Sequence, residues 1–126
     1  MTIHLLTIGL GGFLGAIGRY LIFMADRHLF HHHFPFGTLF VNLTGSLLIG
    51  LALGLGVKYD ILSRGSPGYY LFVTGFLGAF TTFSTFSQDN LILLMDKHYG
   101  SFTANILLNV VLGIALAALG YFLVHK

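Results

Sequence analysis

The sequence predicts an all-α membrane protein of four transmembrane helices, the third broken near its middle. Three observations carry that reading. Of 126 residues, 56% are hydrophobic and only 8% charged, against about 25% charged in an ordinary soluble domain. A chain this short cannot hide so much apolar surface in water. The apolar residues fall into four runs, each near the roughly 20 residues that cross a bilayer. The third run contains residues 75–87, Gly-Phe-Leu-Gly-Ala-Phe-Thr-Thr-Phe-Ser-Thr-Phe-Ser, which make a poor membrane helix. Glycine loosens the backbone there, and the hydroxyls can satisfy the groups that a break frees. Non-helical backbone survives in lipid only where protein buries it or where it lines a cavity. The break is therefore expected to be the functional centre.

The first span is placed at about 3–24, the second at 38–57, the third at 69–95 and the fourth at 102–124, all in one membrane domain covering 1–126. The first has no basic flank and no clear cleavage site, and is read as a retained helix rather than a signal peptide. The intervening stretches 26–37, 58–68 and 96–101 hold both prolines, three of the four aspartates and most of the histidines. They are too short to be domains. No tryptophan is present, so tyrosines near the helix ends must supply any aromatic belt. With no cysteine, disulfides and thiolate metal sites are excluded. The run His31-His32-His33 has no accompanying carboxylate or thiolate and cannot converge in regular structure. It is read as an interfacial loop rather than a metal site.

Small or polar residues recur at a spacing of four, which places them on one helix face. The first span has Gly11, Gly15 and Arg19. The second has Thr38, Asn42, Ser46, Gly50 and Gly54, and the fourth has Ser101, Asn105, Asn109, Gly113 and Ala117. Such stripes let membrane helices approach closely. Packing explains the glycines; for the asparagines a functional role competes, because an unpartnered amide in hydrocarbon is costly. Arg19 can snorkel to the interface or pair with Asp26.

Four spans put both termini and the 58–68 loop on one side, with Lys58, Arg64 and Lys126. Arg19, Arg27 and Lys97 fall toward the other. This balance gives the positive-inside rule nothing to act on. Either another feature orients the chain or it inserts both ways, and dual insertion would permit an antiparallel homodimer.

The chain has no glutamate, and Asp89, late in the third span, is the aspartate nearest the membrane. A proton-coupled exporter normally needs an intramembrane carboxylate, and a cation pore wants acidic rings or a carbonyl filter. Neutral donors dominate instead: Asn42, Asn105, Asn109, Ser46, Ser84 and the threonines of the third span. Donors without acidic acceptors suit an anion. Phe80, Phe83 and Phe86, spaced by three, would lie along one side of a helical stretch, and a ring edge carries partial positive charge. Packing remains the default role of a membrane phenylalanine.

Three stretches resemble the Fluc (CrcB) family of fluoride channels. They are Gly12-Phe-Leu-Gly-Ala-Ile-Gly-Arg-Tyr20, Gly37-Thr-Leu-Phe-Val-Asn-Leu-Thr-Gly45 and Gly75 through Phe86, of which Thr81-Thr-Phe-Ser-Thr-Phe86 is the most specific. The resemblance covers the whole chain. It implies a dual-topology antiparallel homodimer in a cell membrane, each chain multi-pass, with two fluoride pathways. It implies ring-edge contacts to the ion from Phe83 and Phe86, a pore-lining Asn42, and hydroxyls from Ser84 and Thr85. Arg19 would lie toward the vestibule. Gly78 and Thr81 match positions whose backbone carbonyls hold a structural sodium at the dimer centre. Asn105 and Asn109 stand where the family often has tyrosine and serine, so Asn109 is placed on the pathway. The expectation is a passive fluoride channel, not an enzyme, that lowers cytoplasmic fluoride. The alternative is a dual-topology four-helix exporter of small organic cations, and the missing intramembrane glutamate separates the two.

Overall fold

A computed structural model describes residues 1–126 and is all-helical. Helix α1 is Thr2–Leu29 and α2 is Phe36–Tyr59. Helix α3, residues 67–80, starts as Pro67–Tyr69, widens over Tyr70–Leu77 and tightens again over Gly78–Phe80. Helix α4 is Phe83–Met95, and α5 runs over Tyr99–Val124. Helices α1, α2 and α5 are each long and apolar enough to cross a membrane. Helices α3 and α4 follow one another along the third apolar run, interrupted at Thr81 and Thr82.

Local chemistry sets the boundaries. Pro35 precedes α2, whose Gly37 N–H donates to Asp26 Oδ2 at 2.9 Å; the carboxylate satisfies one orphan donor of the new helix. Ser66 Oγ accepts from Tyr69 N–H at 3.1 Å, and Pro67 occupies the first helical position, where a missing N–H costs nothing. At the far end of the chain Lys58 Nζ donates to the carbonyls of Val124 and Lys126 at 2.8 and 2.7 Å, so a cation closes the C-terminus of α5.

The helices pack in two pairs. Helix α1 lies along α3 and α2 along α5. A Cβ on Gly11 would collide with the Leu71 carbonyl, and one on Gly15 with that of Phe76. In the second pair the two stripes of small residues meet in constant register, offset by 67 residues. Asn42 bonds Asn109, a Cβ on Gly113 would sit 3.4 Å from Ser46 Oγ, a Cβ on Gly50 would strike the Ala117 carbonyl, and one on Gly54 would come within 3.0 Å of the Tyr121 carbonyl. Residue numbers rise together on both helices, so they run parallel. Lipid gives helices no hydrophobic reason to associate, and small residues that bring backbones into contact supply the attraction instead.

Both pairs contain a widened stretch. The Gly78 N–H reaches back to Val73 O, five residues away, and Leu108–Leu112 of α5 is π-helical. Such turns concentrate at functional sites, and here each borders the same cleft. Only 18 of 126 residues are buried. Most apolar side chains are therefore left uncovered within the single chain.

Candidate functional site

The site is built on the break. Thr81 and Thr82 are extended, with ψ of 158° and 116°. Thr82 caps α4: its Oγ1 accepts from Thr85 N–H at 3.2 Å. Asn42, on the polar stripe of α2, clasps the break from the side. Its Oδ1 accepts from Thr82 N–H at 2.9 Å, and its Nδ2 donates to Thr82 O at 3.3 Å and to Asn109 Oδ1 at 3.0 Å. In a continuous helix Thr82 N–H would serve the Gly78 carbonyl. Taken by Asn42, it leaves that carbonyl without its helical donor. No backbone N–H donates to the Thr81 carbonyl either.

A cleft of about 430 Å³ opens at the break, bordered by Asn42, Gly78, Thr81, Phe83, Phe86 and Asn109, with Ser46 beside them. Six of the residues singled out from the sequence thus converge. The rings of Phe83 and Phe86 lie 5.7 Å apart and are tilted by 44°. Phe83 is 78% exposed, so within the chain its ring projects outward with little to hold it. Phe80 does not join them, which corrects the expectation of three phenylalanines along one side. It is buried, stacks on Phe76 at 5.5 Å and faces Gly18 of α1. The two extended residues of the break end the helical phase, so a spacing of three no longer carries across it.

Of the hydroxyls, Thr82 Oγ1 lies 3.2 Å from Ser84 Oγ and donates to Thr85 Oγ1 at 3.1 Å. A hydroxyl that accepts keeps its own proton for another partner, so Thr85 retains a donor. Thr85 borders a second cavity, of about 490 Å³, shared with Thr38, Asp89, Asp26, Arg27 and His33. The first turn of α4 thus divides two cavities, with Phe83 and Phe86 on one and Thr85 on the other. Ser84 is exposed and lines neither, and Arg19 lines neither. Pairing of Arg19 with Asp26 is not what Asp26 does: its carboxylate serves Gly37. His33 stacks on His98 at 4.0 Å, and no group of three candidate metal ligands forms.

Two features were not singled out in the sequence. Thr38 Oγ1 donates to Asp89 Oδ2 at 2.6 Å, a charge-assisted bond tying α2 to α4. Asn90, buried on α4, accepts from Asn105 Nδ2 at 3.2 Å and donates to Phe86 O at 2.9 Å. Asn105, fully buried, accepts in turn from Asn109 Nδ2 at 2.8 Å. The signal available was an amide within an apolar run, which must find a partner.

Residues 6–121 match the model of the family described as CrcB-like protein, Camphor Resistance (CrcB). The chain is 48% identical over 123 residues to the fluoride-specific ion channel FluC of Campylobacter jejuni strain 81-176, covering 97% of each chain. It is 50% identical over 119 residues to the protein of the same name from Pseudoalteromonas translucida, covering 94% of this chain and 98% of the relative. The FluC protein of Vibrio parahaemolyticus is 44% identical over 119 residues, with 94% and 92% covered.

Proposed function

This chain belongs to the CrcB family, and we propose that it is a passive, fluoride-selective channel that lowers fluoride inside the cell. The observation that carries the reading is the near-full-length similarity to proteins named for fluoride conduction, together with the cleft where Phe83 and Phe86 stand among uncharged polar side chains and no carboxylate. Fluoride is small and strongly hydrated, so a pore must replace its water with donors. Ring edges of Phe83 and Phe86 on the cleft supply positive potential without a fixed counter-charge that would trap the ion. The hydroxyls of Thr85, on the cavity across the turn, and of exposed Ser84 are assigned to the continuation of the path. Both amide hydrogens of Asn42 and both of Asn109 are committed within the protomer. These two side chains shape the wall, and hydroxyls and rings offer the freer contacts. Arg19 belongs in this scheme as an attractor of anions toward the vestibule.

The working unit is an antiparallel dual-topology homodimer, multi-pass in the cell membrane. Its support is the balanced charge, the small core of one protomer and the exposure of Phe83 and Gly78. Two copies would bring the carbonyls of Gly78 and Thr81 together at the two-fold axis. These are neutral oxygens left without backbone donors at the break, a donor set that fits sodium. Bound there, the ion supplies positive charge close to the anion path.

The test is efflux from proteoliposomes, comparing fluoride with chloride. Fluoride should leave far faster. Chloride leaving as readily would overturn the reading. Tagged termini should appear on both faces of the membrane, and two lysines added to the 58–68 loop should deplete functional pairs.

A further inference from the structure

Four asparagines on three helices form one directed relay. Thr82 N–H donates to Asn42, Asn42 to Asn109, Asn109 to Asn105, Asn105 to Asn90, and Asn90 to the Phe86 carbonyl. The ends fix its direction. A backbone N–H can only donate and a carbonyl can only accept. Turning any single amide over would oppose two oxygens or two N–H groups along the line. The ends are also the two ends of one helical turn, from the cap of α4 at Thr82 to Phe86, and that turn carries both Phe83 and Phe86. The relay closes a belt around it through α5 and α2. Asn90 is 7% exposed and Asn105 is not exposed at all, so neither is replaced by solvent.

We propose that Asn90 and Asn105 are positioning residues for fluoride passage: they set the orientation of the α4 turn that presents Phe83 and Phe86, without touching the ion. The inference rests on the channel reading above. It assigns Asn90 a role, and it gives the far half of the fourth-span asparagine stripe a purpose other than lining the pore. Packing alone would ask only for volume at these positions. A relay asks for one acceptor and one donor, correctly ordered.

Asn105→Asp separates the two. Protonated, its carboxyl donates O–H to Asn90 and accepts from Asn109, reproducing both links. Ionised, it is acceptor-only and opposes Asn90 Oδ1. Buried carboxyls can titrate as high as about pH 8–9, so fluoride efflux is measured from about pH 10, where such a group is ionised, down to about pH 5, as a ratio to the unmodified protein at each pH and corrected for protein-free vesicles. The ratio for Asn105→Asp should climb several-fold on acidification. That for Asn105→Leu should stay roughly tenfold low throughout, a loss within the range for leaving one buried polar group unsatisfied. Asn90→Leu should match Asn105→Leu while the dimer still elutes intact. Amide exchange over residues 82–86, read independently of transport, should quicken in both leucine variants. A flat Asn105→Asp ratio, or normal flux and exchange in Asn90→Leu, overturns the proposal. No fluoride flux in the unmodified protein, with exchange over 82–86 still quickened by Asn90→Leu, overturns the channel reading and keeps the relay.

Discussion

The α2–α5 seam and the first turn of α4 lie side by side and are held by opposite means. Along the seam, Gly50 and Gly120 press against the backbones of Ala117 and Leu47. Directional bonds cross the seam only toward its two ends, Asn42 to Asn109 and Lys58 to the last carbonyls; the glycine stretch between them is held by many small dispersion terms summed over a fitted surface. The α4 turn has few packed neighbours, and Phe83 on it is largely bare. Hydrogen bonds from Asn42, Thr82 and the amides behind them hold it. An unmade bond in hydrocarbon costs several kcal/mol, so a few bonds fix an angle that packing does not. Packing holds the seam, and hydrogen bonds set the turn that carries the rings of Phe83 and Phe86.

The largest effect should come from the seam. Gly50→Val places side-chain atoms where the Ala117 backbone already is. Overpacking typically costs about 1–3 kcal/mol, and a clash with backbone belongs at or above the upper end. We expect little folded protein in detergent by size exclusion. Gly12→Ala is the control, since an added Cβ there meets nothing within 4 Å; its folded yield should be unchanged. Equal yields would mean that the seam is looser than the close approach implies.

The turn should fail differently, losing function before stability. Phe83→Ile and Phe86→Ile keep apolar bulk but remove the ring edge, and should cut fluoride efflux steeply in protein that still assembles. Phe80→Ile should do the reverse. Phe80 is buried against Phe76, so its loss lowers thermal stability while flux persists. Equal flux in all three would place the anion path elsewhere.

That contrast also marks what the sequence could tell. The break was legible because glycines and hydroxyls crowd residues 75–87 of an apolar run. The stripes on the second and fourth spans were legible as faces. Their register was not, because spacing within a helix says nothing about its partner. A spacing of three groups Phe80 with Phe83 and Phe86 only if helical phase carries across the break, and the extended residues Thr81 and Thr82 cancel it. Asn90 lies on no stripe and its partner Asn105 is on another helix, so spacing carries no signal for it. The widened turns at Tyr70–Leu77 and Leu108–Leu112 have no composition signal.

A smaller effect is expected at Asn42, where the two regions meet. Asn42→Asp removes both donors and faces a carboxylate with Thr82 O and Asn109 Oδ1. Leaving such groups unsatisfied costs about 1–3 kcal/mol, and the added negative charge opposes an anion. Denaturation midpoint and efflux should both fall. Asn42→Ser keeps a donor and an acceptor at shorter reach, and should retain part of the flux. A normal midpoint in Asn42→Asp would show that the clasp contributes little.

The smallest effect on the protomer should come from Gly78, and for that reason it is the sharpest probe of what lies outside it. Gly78 is helical, at φ −60° and ψ −34°, so alanine fits its backbone. An added Cβ meets only Val73 O, at 3.9 Å, and glycine inside a helix costs roughly 0.5–1 kcal/mol relative to alanine. Within one chain, Gly78→Ala should be neutral or slightly stabilising. A second copy at the two-fold axis, with sodium between the facing carbonyls, would leave no such room. Gly78→Ala should then weaken dimerisation and fluoride efflux together, and Gly78→Val more so, with the monomer fold intact by circular dichroism. Full dimer content and full flux in Gly78→Val would remove both the close approach at this point and the sodium site built on it.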